Sequence, residues 1–173
     1  MTEVRPRVVL IGPPGSGKTT VASALAQRLG LPVHDTDAAV EAQAGTSIAD
    51  LFVVHGEAHF RDLEAGAVDR ALRTQAGVVA LGGGAPMTPS VEAALAGHRV
   101  VFLDVGIADA AGRVGFDRSR PLLAVNPRAS WVAMMKVRRP VYERVATWRV
   151  DTAGRTPEEI AEEIADRLAG AAS

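Results

Sequence analysis

Val8-Val9-Leu10-Ile11-Gly12-Pro13-Pro14-Gly15-Ser16-Gly17-Lys18-Thr19-Thr20 is the stretch that decides the fold. Its first four residues are apolar and mostly β-branched, as in a strand buried on both faces, and such strands belong to parallel sheets. Gly12 to Thr19 then fits G-x-x-x-x-G-K-[ST], in which glycines let successive backbone N–H groups turn onto phosphate oxygens at the start of a helix. The helix N-terminus adds about half a positive charge. Gly15, Ser16, Gly17, Lys18, Thr19 and Thr20 are therefore expected around the phosphates of ATP, with Lys18 on the β and γ phosphates and the Thr19 hydroxyl on Mg²⁺. A glycine-rich turn with an incidental lysine is the alternative. It does not account for the strand before the motif, or for Val21, Leu25 and Leu29 recurring at helical spacing up to Gly30 after it.

The rest of the chain continues the alternation. Leu31-Pro32-Val33-His34-Asp35, Val78-Val79-Ala80-Leu81, Arg99 to Asp104 and Trp148 to Asp151 read as further short strands. Asp37 to Ala76 reads as a long helical insert broken only at Gly45 and Gly56, with Ser47-Ile48-Ala49-Asp50 resembling a capping box. Helices are expected around Ile107 to Val114 and Trp131 to Val145, with an Arg- and Pro-rich loop from Asp117 to Pro127 between them. A last helix opens on Thr156-Pro157-Glu158-Glu159. The expected architecture is a single α/β domain: a parallel sheet of five strands with helices on both faces.

Composition bounds the partners. The chain has 173 residues, of which 47% are hydrophobic and 23% charged, enough apolar side chain for a core and too little charge bias for a disordered chain. A net charge of −1 provides no overall basic field for nucleic acid. No apolar run approaches the roughly 20 residues of a membrane span, and the N-terminal residues do not read as a signal peptide. With no cysteine there is no disulfide framework or thiol chemistry, so a cytoplasmic setting is expected. No coiled-coil seam argues for assembly, and a monomer is expected.

A P-loop alone specifies only the nucleotide. The chain lacks both the Asp-Glu strand end of a motor ATPase and an Asn-Lys-x-Asp guanine-reading motif, so phosphoryl transfer from ATP to a small acceptor leads. Asp35 and Asp37 flank Thr36 at the carboxyl edge of the sheet, where open α/β folds place ligands. A strand alternates its side chains, so both carboxylates are expected on one face, one for Mg²⁺-bound water and one to orient an acceptor hydroxyl or take its proton. An Asp-rich helix N-cap is the other reading. Arg61 and Glu64, three apart on a helix, read by themselves as a surface ion pair sooner than as part of a site. Gly82-Gly83-Gly84 suits close approach of a ligand to main-chain N–H groups, with a flexible turn as the alternative. Arg118, Arg120, Arg138 and Arg139 crowd the loop and the helix after it. Arg120 suits a loop closing over the γ phosphate, and Arg138 a planar fork for a carboxylate.

Taken in order, several motifs resemble the shikimate kinases, small P-loop enzymes of the nucleoside-monophosphate-kinase fold. They are the P-loop, Asp35-Thr36-Asp37, Ser47 to Phe52, Gly56-Glu57 with Phe60-Arg61 and Glu64, Leu81 to Ala85, Arg120-Pro121-Leu122-Leu123, and Arg138-Arg139-Pro140-Val141-Tyr142. The resemblance implies transfer of the γ phosphate of MgATP to the 3-hydroxyl of shikimate, toward chorismate and the aromatic amino acids. It implies a core of residues 1–34, 77–111 and 127–173, a shikimate-binding insert at 35–76 and a lid at 112–126. Asp37 would orient the hydroxyls and act as candidate base. Arg61, Arg138 and the Gly82, Gly83 and Gly84 loop would hold the carboxylate and ring hydroxyls, Phe52 and Phe60 would wall the ring, and Glu64 would orient Arg61. Lys18 and Arg120 would neutralise the transferring phosphate, Thr19 and, through water, Asp35 would hold Mg²⁺, and Arg113 and Arg155 would flank adenine.

Thr19 stands where Ser is more usual and keeps the hydroxyl, while Trp131 and Trp148 read as packing residues. A related gluconate kinase is the runner-up, which the Arg61, Arg138 and triple-glycine set argues against. A catalytically dead nucleotide-binding module would have lost Lys18, Asp37 or Arg120, and all three are present.

Overall fold

The computed structural model describes residues 3–114 and 126–171. The run singled out above forms β1 (Val8–Ile11), buried along its whole length, and after the loop α1 (Lys18–Leu29) begins. The chain continues through β2 (Val33–Asp35), α2 (Thr36–Ala44), α3 (Ile48–Thr74), β3 (Val78–Ala80), a 3₁₀ turn (Ala85–Met87), α4 (Pro89–Ala94), β4 (Val100–Asp104), α5 (Ile107–Val114), α6 (Pro127–Val145), β5 (Trp148–Asp151) and α7 (Pro157–Ala171). The five strands form one sheet in the order β2-β3-β1-β4-β5, parallel at every pairing. This is the expected parallel α/β architecture. β1 lies at its centre, with Leu10 opposite Ala80 of β3 and Val101 of β4.

Strand side chains alternate between faces, so β1 divides its residues between two cores. Val8 and Leu10 pack with Val21 and Leu25 of α1 and Ile160, Ile164 and Leu168 of α7. Val9 and Ile11 pack on the other face with Val68 and Leu72 of α3 and with Trp131, Met135 and Tyr142 of α6. A third, smaller core joins Val40 of α2 to Leu51, Phe60 and Ala67 of α3. The helical insert between β2 and β3 thus has apolar packing of its own.

Local chemistry explains the ends. Thr156 and Glu159 make the reciprocal capping box at α7, with distances of 3.1 and 3.3 Å. Ser47 Oγ accepts from Asp50 N at 3.1 Å to start α3. Gly56 breaks α3 internally at φ 82°, ψ 170°, a conformation open essentially to glycine alone, so the first and second parts of the helix run in different directions.

One expectation fails. Alternation along a strand cannot put Asp35 and Asp37 on one face, because β2 stops at Asp35 and α2 starts at Thr36. The Asp35 carboxylate caps that helix, accepting from Asp37 N at 2.9 Å and Ala38 N at 3.3 Å. The N-cap reading therefore holds for Asp35, and Asp37 is carried inward by the first turn of α2.

Candidate active site

The loops after β1 and β3 leave neighbouring strands at the carboxyl edge of the sheet and so lie side by side. In the P-loop, Gly15 and Gly17 adopt φ of 83° and 85°, turning the chain into the first turn of α1. A Cβ at Gly12 would stand 2.6 Å from Leu103 O, so the start of the loop can lie against β4 only with glycine there. Lys18 Nζ donates to Gly12 O at 2.7 Å and Pro13 O at 3.2 Å, arching its charge over the loop. Thr19 Oγ1 donates to Asp35 Oδ2 at 3.3 Å. This hydroxyl and carboxylate are the hard oxygen donors that Mg²⁺ takes. Among the described residues no three His, Cys, Asp or Glu side chains gather into a metal cluster, so an ion here would complete its shell with water and phosphate oxygens.

Each glycine of the second loop gives up its Cβ space to a charged side chain. A Cβ on Gly82 would overlap Asp37 Oδ1 and stand 2.9 Å from Glu64 Oε2. On Gly83 it would stand 3.1 Å from Arg138 Nη1 and 3.4 Å from Gly12 O. On Gly84 it would overlap Arg61 Nη2 and stand 2.6 Å from Nη1. The triple glycine is thus the floor on which two carboxylates and two guanidiniums converge from α2, α3 and α6. Buried Thr36 fixes this loop to the start of α2, donating to Ala80 O at 3.4 Å and accepting from Gly82 N at 3.2 Å.

Arg61 and Glu64 are not a surface pair. The Glu64 side chain is 1% exposed, and its Oε1 accepts from Arg61 Nη1 at 2.8 Å, while Glu57 reaches the other guanidinium nitrogen at 3.4 Å. Burial raises the Glu64 pKa, with Asp37 adding to the effect and Arg61 and Arg138 opposing it. The Phe52 and Phe60 rings meet at 4.9 Å between centroids, and the Arg61 guanidinium lies 5.1 Å from the Phe60 ring. Arg138 is 8% exposed, buried on the inner face of α6.

One expected residue is not brought into this group, and two are not described. Arg155 lies just before α7, paired with Glu163 at 2.9 Å and donating to Asp151 O at 3.0 Å. Arg120 and the body of the 112–126 segment lie outside the described residues, as does the Arg113 side chain. Conversely, two residues to which the sequence assigned no site role join the site. Trp131 Nε1 donates to Pro14 O of the P-loop at 3.3 Å, and buried Tyr142 donates to Gly83 O at 2.5 Å. A helical stripe through Trp131, Met135, Arg138 and Tyr142 was the available signal. A separate cavity of about 600 Å³, lined by Arg5, Arg7, His98 and Arg99 among others, opens at the amino ends of the strands, across the sheet from these loops.

A P-loop next to a buried pocket of paired guanidiniums and carboxylates, on this sheet order, defines a P-loop kinase acting on a small anionic acceptor. A family model, "Shikimate kinase", matches residues 14–169. The shikimate kinase of Thermobifida fusca is 54% identical over 167 residues, covering 96% of this chain and 97% of that one. The shikimate kinase of Salinispora arenicola is 55% identical over 164 residues, covering 95% and 98%. The structure of shikimate kinase from Acinetobacter baumannii in complex with shikimate superposes with a TM-score of 0.92 at 31% identity, covering 96% of this chain and 94% of that one. The chain belongs to the shikimate kinase family.

Proposed function

We propose that this protein transfers the γ phosphate of ATP to the 3-hydroxyl of shikimate, giving shikimate 3-phosphate and ADP on the way to chorismate. The observation that carries the reading is the convergence of Arg61, Arg138 and Asp37 on the three glycines directly beside the P-loop. Two guanidiniums suit one carboxylate, because each presents a planar pair of donors, and Asp37 suits a hydroxyl that must be oriented. Phe52 and Phe60 supply an apolar wall for a ring.

In the reaction, the acceptor oxygen bonds to the γ phosphorus as the bond from phosphorus to the β–γ bridging oxygen breaks, and the hydroxyl proton passes to Asp37 or to solvent. A loose transition state asks mainly for positioning and charge neutralisation. Gly15, Ser16, Gly17 and Thr20 line the phosphates, and Lys18 swings from its loop carbonyls to the β and γ oxygens. Thr19 and Asp35, the latter through water, would hold Mg²⁺, which spreads the charge developing on the phosphate oxygens. Glu64 holds Arg61 in place from behind. Residues 112–126, with Arg113 and Arg120, are assigned to the lid over the nucleotide, and Arg155 to the adenine edge. A monomer is taken as the working unit. Among the described residues no helix is long and apolar enough to cross a membrane.

The test is ADP release with MgATP and either shikimate or gluconate, beside the Asp37→Asn variant. Turnover with shikimate that falls at least about a hundredfold in the variant, the size of a positioned acid–base contribution, is the expected result. Turnover with gluconate alone would overturn the acceptor.

A further inference from the structure

α6 touches both halves of the site through one face. Trp131, Met135, Arg138 and Tyr142 are its buried residues, spaced four, three and four apart, so they form a single stripe. The indole at one end of the stripe donates to Pro14 O in the loop that receives the nucleotide. Three turns further on, the phenol donates to Gly83 O in the loop that receives the acceptor. Both rings are set in the core, Trp131 4% and Tyr142 0% exposed, and Tyr142 is also packed on Phe102 of β4 at 5.0 Å. Pro140 lies on the exposed side, so the stripe is continuous although Lys136 O loses its helical partner there.

We infer that Trp131 and Tyr142 are positioning residues that register the nucleotide loop and the acceptor loop against each other, each through a hydrogen bond to a loop carbonyl, with the Tyr142 phenol also bonded to the Arg138 guanidinium that the acceptor loop seats. The inference rests on the functional reading above for the identity of the acceptor. Core packing alone explains the rings but not their polar ends, because a phenylalanine would fill the place of Tyr142 without its bond, and the indole could pack without aiming its N–H at a loop carbonyl. A carbonyl held by a rigid donor fixes the orientation of its peptide plane, and with it the N–H groups that face a ligand. Gly83 matters most here, since its missing Cβ leaves room for Arg138, and a tilted peptide would move that guanidinium's seat. The two bonds lie at opposite ends of the stripe, so their losses separate.

The test uses Trp131→Phe and Tyr142→Phe in the full chain, with two readouts: calorimetric titration with ADP, and the KM for shikimate at saturating MgATP. Tyr142→Phe is expected to raise the KM for shikimate about fivefold and leave ADP affinity unchanged, because both bonds the phenol makes, to Gly83 O and to Arg138, lie on the acceptor side. Trp131→Phe is expected to weaken ADP about fivefold with the shikimate KM unchanged. Equal shifts of both affinities in both variants, tracking a fall in Tm, would make the residues merely structural and overturn the assignment, as would no shift in either. If the wild type fails to turn over shikimate, the functional reading falls, and the ADP titration still decides: weakening confined to Trp131→Phe upholds the registering role, and any other pattern removes it.

Discussion

Gly84 shows how a single methyl group separates binding from folding. Its φ of −91° and ψ of −6° are open to any residue, so the backbone accepts alanine there. The added Cβ would collide with the Arg61 guanidinium, which is the far end of a flexible side chain and can move. Gly84→Ala should therefore raise the KM for shikimate tenfold or more, a loss of about 1.4 kcal/mol in binding, with a fall in Tm limited to what buried Glu64 loses as Arg61 shifts. A thermal melt and a shikimate saturation curve check this, and an unchanged KM would show that Arg61 does not hold the acid. In the sequence the triple glycine suits close approach of a ligand, or a flexible turn. The atoms that need the space belong to Asp37, Glu64, Arg138 and Arg61, and only the folded chain brings those four together.

Among the elements, α3 carries the largest share of the acceptor groups, and its break at Gly56 sets where they lie. Leu51 and Phe52 precede the break, while Phe60, Arg61 and Glu64 follow it, and the two phenylalanine rings meet across it. Nothing lies within 4 Å of a Cβ built on Gly56, so the cost of alanine there comes from backbone strain alone. Gly56→Ala is expected to lose about 1–3 kcal/mol of stability, read in a denaturant melt, with a higher KM for shikimate as the Phe52 segment shifts. A helix of unchanged stability would mean that α3 can straighten without strain. The sequence announced this break through the glycine itself. Of the adjacent arginines, the expectation places Arg138 in the site and not Arg139, and the stripe spacing supplies the physical reason: it buries the first and turns the second toward the end of β4.

For the molecule as a whole, that second arginine belongs to a structural tie. Asp104, 5% exposed at the end of β4, accepts from Arg139 at 2.8 and 2.9 Å and from Arg149 of β5 at 2.7 Å, joining two strands and α6. Burial alone would raise the Asp104 pKa, but the hydrogen bonds and charges of the two arginines outweigh it and hold it below the ordinary 3.8. A carboxyl depressed in the folded state stabilises fully above its unfolded value and loses that stabilisation as pH falls through the folded one. Asp104→Asn should thus cost about 1–3 kcal/mol at neutral pH. The difference in Tm from wild type should hold steady above about pH 5 and shrink below 3.8. A difference that stays constant into acid would remove the charge from the account. Much of the architecture was readable beforehand, because buried strands, caps and the P-loop are local signals. The end of β2 was not, since an Asp after a strand serves equally as its last residue or as the cap of the next helix.

The strand order has a consequence for how such an enzyme can change. The donor loop follows β1 and the acceptor floor follows β3, and these strands are direct neighbours, tied where Leu81 N donates to Leu10 O at 3.0 Å. Strands in a sheet lie about 4.8 Å apart whatever side chains they carry. The spacing between the donor loop and the acceptor floor is therefore set by a backbone ladder that no substitution on α2 or α3 alters. Those helices leave the sheet after β2 and rejoin it at β3 with apolar packing of their own, so acceptor preference can drift by replacement within them while the donor geometry is inherited unchanged.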